Sequence, residues 1–304
     1  MLSGTWIDQL RLHWRRPTAA QVRRWPSDTR LLPLARANVR VRDVGAGPRT
    51  VLLSPDPPVV LEHYERLIEL LSPHMRVVCF EFPGCGFSYP RLGFNFTLAD
   101  HVAIVREVID RLDIGRATLA FTCVNALHAL AFAHAHPSRV ERMVLAQVAS
   151  TNEMRAFAER IAFRIAGINV LTTPVLGQLL LASNRDRVAR SWFQAAAADA
   201  ESAERLYAVS RPVLADGGEF CLASISQSGI LEDAEGLTVP GCSAHVTWGD
   251  ADRTHRKTCK TSIQAHLPQA TIRHCADCGH FPDIEAPVAY SRLILDGDAA
   301  CGHP

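Results

Sequence analysis

The stretch ATLAFTCVNALHALAFAHAHP, residues 117–137, decides the fold. Its first five residues are apolar and partly β-branched and suit a buried strand, whereas Ala126, Leu127, Leu130 and Ala131 recur at helical spacing. The pattern predicts a strand that turns directly into a helix at Cys123. A side chain on such a turn projects from the end of a parallel sheet, and the first N–H groups of the helix point at whatever it attacks. Cys123 therefore stands where a nucleophile elbow presents its reactive atom.

Working outward, the flanks repeat the same alternation. Residues 38–44, NVRVRDV, read as a half-exposed strand followed by the turn Gly45-Ala46-Gly47-Pro48, and Thr50–Leu53 reads as a buried strand. A helix is predicted over 59–71, a strand over 76–80, and a helix over 98–112 with Val102, Val105, Ile109 and Leu112 on one face. Val140–Val148 is the strand after the central helix. Strands alternating with helices predict an α/β protein with a mostly parallel sheet covered on both faces.

The chain has 304 residues, enough for one large core or a core with an inserted subdomain. With 48% hydrophobic residues, 21% charged and a formal net charge of +1, it reads as a globular protein, and nothing calls for nucleic acid. Nine cysteines without the spacing of a disulfide framework, and a first ten residues that carry Asp8 and no apolar run, point to a reducing, cytoplasmic setting. Asn125, His128, His134 and His136 argue against a membrane span in the uncharged central stretch. At the start, Trp6, Leu10 and Trp14 at i, i+4 and i+8 predict a short amphipathic helix whose apolar stripe packs on the body of the protein, with contact to a membrane surface or a partner as the alternative.

These residues resemble the α/β-hydrolases, whose elbow is G-x-S-x-G. Here it is Phe121-Thr122-Cys123-Val124-Asn125, with sulfur for oxygen as in the dienelactone-hydrolase branch. Both glycines are replaced, which implies a relaxed turn or a compensating gap. Glu81-Phe82-Pro83-Gly84-Cys85-Gly86-Phe87-Ser88 resembles the family's D-x-P-G-x-G-x-S loop and is read as structural support. Trp248-Gly249-Asp250-Ala251-Asp252 resembles W-G-x-x-D and assigns the triad acid to Asp252, with Asp250 the competitor. Gly279-His280 and the following Glu285 and Pro287 resemble G-H-x-x-x-x-E-x-P, which carries the catalytic histidine.

The resemblance implies an α/β-hydrolase core over 36–150 and 237–304, a helical cap over 151–236 as in the haloalkane dehalogenase and epoxide hydrolase subgroup, and a basic, aromatic extension over 1–35. Cap residues Trp192, Phe193 and Phe220, and Gln147 at a strand end, are the pocket candidates. A sulfur nucleophile argues against the aspartate-dependent chemistry of that subgroup. The implied function is a hydrolase or acyltransferase acting on a small-molecule ester or thioester, free or linked to a carrier or to CoA, through a Cys123, His280, Asp252 triad and an acyl-cysteine. Pairing with the histidine at a helix N-terminus implies a lowered thiol pKa. Backbone N–H groups of Val124 and Asp56 are the expected oxyanion donors, because Pro55, Pro57 and Pro58 have none to give. The Asp56 carboxylate beside a developing anion keeps two alternatives open: a cyclase- or lyase-type enzyme without hydrolysis, and a binding protein that has lost turnover. No organic cofactor is implied. The Cys275-x-x-Cys278 pair lacks the second tight pair a structural zinc site needs, so no metal is expected.

Overall fold

The computed structural model describes residues 3–161, 164–165, 168–231 and 236–296. The chain ends and the 232–235 stretch of the expected domain boundaries lie outside them, as do 162–163 and 166–167 of the expected cap. Eight strands form most of a nine-stranded sheet: β1 (Thr29–Pro33), β2 (Ala37–Val44), β3 (Thr50–Ser54), β4 (Arg76–Phe80), β5 (Ala117–Phe121), β6 (Val140–Ala146), β7 (Ala244–Gly249) and β8 (Thr271–Cys275). Their spatial order is β1-β2-β4-β3-β5-β6-β7-β8, with the short strand Tyr89–Pro90 paired to β2. Pairings from β4 through β8 are parallel, and β2 joins β1 and β4 antiparallel. This is an α/β-hydrolase architecture.

Every residue of β3 and β5 is buried, as expected of central parallel strands whose two faces are both covered. The covering helices include α2 (Glu65–Leu71), α3 (Leu98–Arg111), α4 (Cys123–Ala135) and, near the end of the chain, α8 (Pro287–Asp296). Helix α4 is buried at each of its first eleven residues. A helix apolar all round belongs inside a protein, and this one lies against β5, β6 and α3.

Between β6 and β7 come the longer helices α5 (Thr151–Arg160), α6 (Leu176–Ala196) and α7 (Ala200–Ala215). Pro212 lies within α7 without ending it. Among the bonds that tie this segment to the sheet side, Ser210 Oγ donates to Pro58 O at 2.8 Å, and His280 N donates to Ala196 O at 2.8 Å. The second holds the histidine loop directly against the end of α6.

Helix α1 (Thr5–Leu12) reverses its predicted face. Trp6, Leu10 and Trp14 are 54%, 59% and 81% exposed, while Asp8, Gln9 and Leu12 are buried. Asp8 accepts from Ser224 Oγ at 2.7 Å and from Arg11 Nη2 at 2.9 Å, and Gln9 Nε2 donates to Asn95 Oδ1 at 2.9 Å. These directional partners fix the polar side inward. Cys275 and Cys278, expected as free thiols, are joined by a disulfide in the loop before the histidine. Among the described residues no helix is long and apolar enough to cross a membrane.

Candidate active site

Cys123 opens α4 with φ +50°, a left-handed conformation that a non-glycine residue adopts only at a cost of roughly 1–3 kcal/mol. The elbow is therefore tight, not relaxed as the missing glycines implied. Room is made elsewhere: the Phe121 ring packs edge-on against Phe80 and Phe82, and Asn125 Nδ2 donates to Pro55 O at 2.7 Å and Ser54 Oγ at 3.3 Å. Asparagine thus bolts the helix to the end of β3, where a glycine would only let the two approach. Thr122 Oγ1 donates to the buried Asp283 at 2.9 Å, which secures the turn to the segment after the histidine.

His280 is fully buried, and its Nδ1 is 2.8 Å from Asp252 Oδ2. Its Nε2 carries no hydrogen bond and lies 3.8 Å from Asp56 Oδ2. Cys123 Sγ, a ring nitrogen of His280 and a ring nitrogen of His255 all lie within 4.8 Å of one another. Asp252 is held by three more donors: Thr254 N and Thr254 Oγ1 at 2.7 Å on Oδ1, and Gln147 Nε2 at 2.7 Å on Oδ2. Asp250 instead pairs with Lys260 and His274, each at 2.8 Å, at an exposed position away from His280.

The electrostatics follow from burial and three acids. Burial opposes the Asp252 charge, but His280, His255 and Thr254 outweigh it and hold the carboxyl below its ordinary value. Burial likewise opposes a charged His280, yet Cys123, Asp252 and Asp56 raise it well above the ordinary imidazole range. Cys123 is pushed up to about 11 by burial first and, with Asp56 ionised, by its charge second, with His280 pulling the other way. The expected lowering of the thiol is therefore overturned. Sequence spacing places the helix N-terminus and the histidine beside the sulfur, but not the depth of burial or the facing carboxylate.

Asp56 is 3% exposed. Burial raises its pKa against the pull of His280 and of the Asn125 and Val124 amides, all in contact with its carboxyl. The Asp56 carboxyl thus lies toward the start of α4. Its Oδ1 has no hydrogen-bond partner.

The cavity above Cys123 is narrow, with a volume of about 30 Å³, and has a mostly apolar lining that includes Asp56, Val124, Phe157, Ile161, Trp192 and Ile230. Trp192 also meets His280 edge-on, with centroids 5.5 Å apart. The other pocket candidates lie outside this lining. Phe193 packs on Phe281 and His63, Phe220 sits in a separate small cluster with Leu171 and Leu181, and Gln147 is buried behind Asp252. Gln147 has φ +50°, and its Oε1 accepts from Gly249 N at 3.2 Å, so it links the ends of β6 and β7 to the triad acid.

His255 has no part in the triad that the sequence motifs assign. It is buried and stacked between Phe157 and His280, at 3.7 and 5.2 Å between centroids, and its Nδ1 is 3.0 Å from Thr258 Oγ1. Its position three residues after Asp252 was the available signal. Cys123, His255 and His280 bring metal-ligating atoms together, but the two imidazole planes are within 19° of parallel. Stacked rings do not aim two in-plane lone pairs at one ion.

Comparison with known proteins agrees with this architecture. A 2-hydroxy-6-oxo-2,4-heptadienoate hydrolase of Pseudomonas putida is 32% identical over 107 residues, a match that spans 34% of this chain and only 39% of that relative's length. The solved structure of epoxide hydrolase VrEH1 from Vigna radiata superposes with a TM-score of 0.70 at 16% identity, covering 90% of this chain and 98% of that one. Cfl2 from Burkholderia cenocepacia superposes at 0.67 with 19% identity, over 88% and 95%. A thermophilic esterase from Thermogutta terrifontis does so at 0.63 with 19% identity, over 88% and 97%. At such identities these structures share the fold. The α/β-hydrolase fold family itself matches residues 58–287, and with that span, the elbow and the sheet order in agreement, the chain belongs to the α/β-hydrolase family.

Proposed function

We propose that the protein is an acyl-transferring or acyl-hydrolysing enzyme that carries its substrate as a thioester on Cys123. One observation carries the reading: a left-handed Cys123 at a helix N-terminus has its sulfur within 4.8 Å of an imidazole whose far nitrogen is 2.8 Å from a buried aspartate. In this reading the sulfur attacks an ester or thioester carbonyl as its proton passes to His280 Nε2, the ring nitrogen with no hydrogen bond. Asp252 fixes the ring through Nδ1 and favours the imidazolium. The reactive form is the one in which Cys123 and His280 together hold a single proton, and its transfer from sulfur to nitrogen is favoured once a carbonyl takes up the charge on sulfur. His280 then returns the proton to the leaving group. The Val124 N–H, first after the nucleophile, is the backbone donor for the tetrahedral oxyanion. The lining around Phe157, Ile161, Trp192 and Ile230 is apolar and favours a hydrophobic acyl group, delivered as a small ester or on a carrier or CoA, for which the narrow cavity has to widen.

Intact mass spectrometry after brief exposure to a panel of acyl esters and acyl-thioesters tests this. The expected result is an acyl mass increment that Cys123→Ala abolishes and His280→Ala slows by about 10²- to 10⁴-fold. Decay of the adduct in water, against decay with added amines or alcohols, separates hydrolysis from transfer. No adduct from any probe, with Cys123 still readily alkylated, removes the reading.

A further inference from the structure

The oxyanion region departs from its usual construction in a way that has a chemical consequence. The loop after β3 runs Pro55-Asp56-Pro57-Pro58, so three of its four residues have no backbone N–H to aim at a substrate oxygen. What the loop does aim at the site is a carboxyl. Asp56 is in contact with the Val124 and Asn125 amides at the start of α4, lines the cavity beside Cys123, and leaves Oδ1 buried without a partner. We propose that Asp56 is a further catalytic residue of the acyl chemistry proposed above, donating its carboxyl O–H to the substrate carbonyl oxygen alongside the Val124 N–H.

A carboxylate in this place would repel the oxyanion, whereas a carboxylic acid stabilises it. A buried carboxyl kept neutral is an effective donor at neutral pH. The charges facing Asp56 set which form it takes. His280, from the loop after β8, favours the carboxylate, and the Val124 and Asn125 amides of α4 act in the same direction. Cys123 on α4 and Cys85 in the loop after β4 also face it but are held as neutral thiols by burial, and Asp283 after the histidine opposes it where ionised. Full burial also opposes the carboxylate and gives a net rise. One carboxyl oxygen then carries the proton toward the cavity, and the Val124 N–H serves the same substrate oxygen. During attack the S–C bond forms and the carbonyl π pair moves to oxygen, which the Asp56 O–H stabilises. On collapse the pair returns, the bond to the leaving group breaks, and the proton on His280 goes to that group. Asp56 ends the step with its own proton.

The experiment compares Asp56→Asn and Asp56→Ala with the wild type for the rate at which an acyl-thioester probe modifies Cys123, with thermal melts confirming that each variant folds. Asparagine keeps a donor at the same place, so Asp56→Asn is expected to stay within about tenfold of wild type, and Asp56→Ala to lose about 10²- to 10³-fold, the scale of one oxyanion donor. The wild-type rate should fall as rising pH ionises Asp56, and Asp56→Asn should lose that limb. Infrared difference spectra at neutral pH should show a protonated-carboxyl band in the wild type that Asp56→Asn removes. If Asp56→Ala is acylated as fast as wild type or faster, Asp56 is only a plug in the hole and the proposal is overturned while the cysteine mechanism stands. Absence of the protonated band has the same meaning. A wild-type protein that takes no acyl group from any probe overturns both.

Discussion

At the scale of single residues, the site is held by side chains that never meet the substrate. Gln147 donates to Asp252 Oδ2 and Gly279 O and accepts from Gly249 N, so one amide joins two strand ends and the histidine loop. Replacing it with leucine leaves the Gly249 N–H buried and unpartnered, and removes a donor that orients the triad acid. Gln147→Leu is expected to cost about 1–3 kcal/mol in urea unfolding. It should also slow acylation of Cys123 by on the order of ten- to a hundredfold, because the imidazole loses its fixed orientation. A variant that loses stability but acylates at the wild-type rate would show that Gln147 supports the fold alone.

At the scale of elements, α1 shows how a correct periodicity can be assigned to the wrong side. The stripe Trp6, Leu10, Trp14 has the spacing of a buried face, yet it faces solvent. The opposite face holds Asp8, which accepts from Arg11 and Ser224, while Arg11 also pairs with the buried Glu219 at 2.7 Å. Once those charges are enclosed, leaving one without its partner costs more than leaving two indoles wet. Trp6→Gln and Trp14→Gln should each change stability by less than about 0.5 kcal/mol. Asp8→Ala should cost about 3 kcal/mol, as expected for one partner lost from a buried ionic network. Chemical denaturation of the three variants checks this, and the reverse ranking would mean that α1 packs by its apolar face.

At the scale of the whole molecule, two histidines make the fold acid-sensitive. His101 on α3 and His128 on α4 stack at 3.8 Å between centroids, within 5° of parallel, enclosed by Phe82, Phe94 and Phe96. Burial lowers His101 from the usual 6.5 to about 4, and lowers His128 well below 6.5, with His101 adding to the effect. Above pH 6.5 both rings are neutral in the folded and unfolded chains, and stability is indifferent to them. As pH falls below 6.5 the unfolded chain takes up protons that the native core refuses, so stability drops. His101 alone accounts for roughly 3 kcal/mol by pH 4. Urea midpoints measured from pH 7 to pH 4 should fall steeply, and His101→Leu should flatten the slope; an unchanged slope would show that this pair is not the acid-labile point.

The elbow strand and helix, the parallel sheet and the order Cys123, Asp252, His280 were legible in the sequence. Each rests on periodicity or on short motifs whose geometry is local. The spacing of the resembled W-G-x-x-D motif favours Asp252 over Asp250, and Asp252 is the one that stands 2.8 Å from His280. Other features were decided only by tertiary structure. Phe193 and Phe220 went to packing, His255 came in beside His280, α1 turned its polar face inward, and Asp56 brought its carboxyl to the Val124 amide. The Cys123 thiol, expected low, is pushed up to about 11. The physical reason is common to all of these: a side chain's surroundings and its charge state are set by burial and by partners dozens to hundreds of residues away, and periodicity along the chain does not record them.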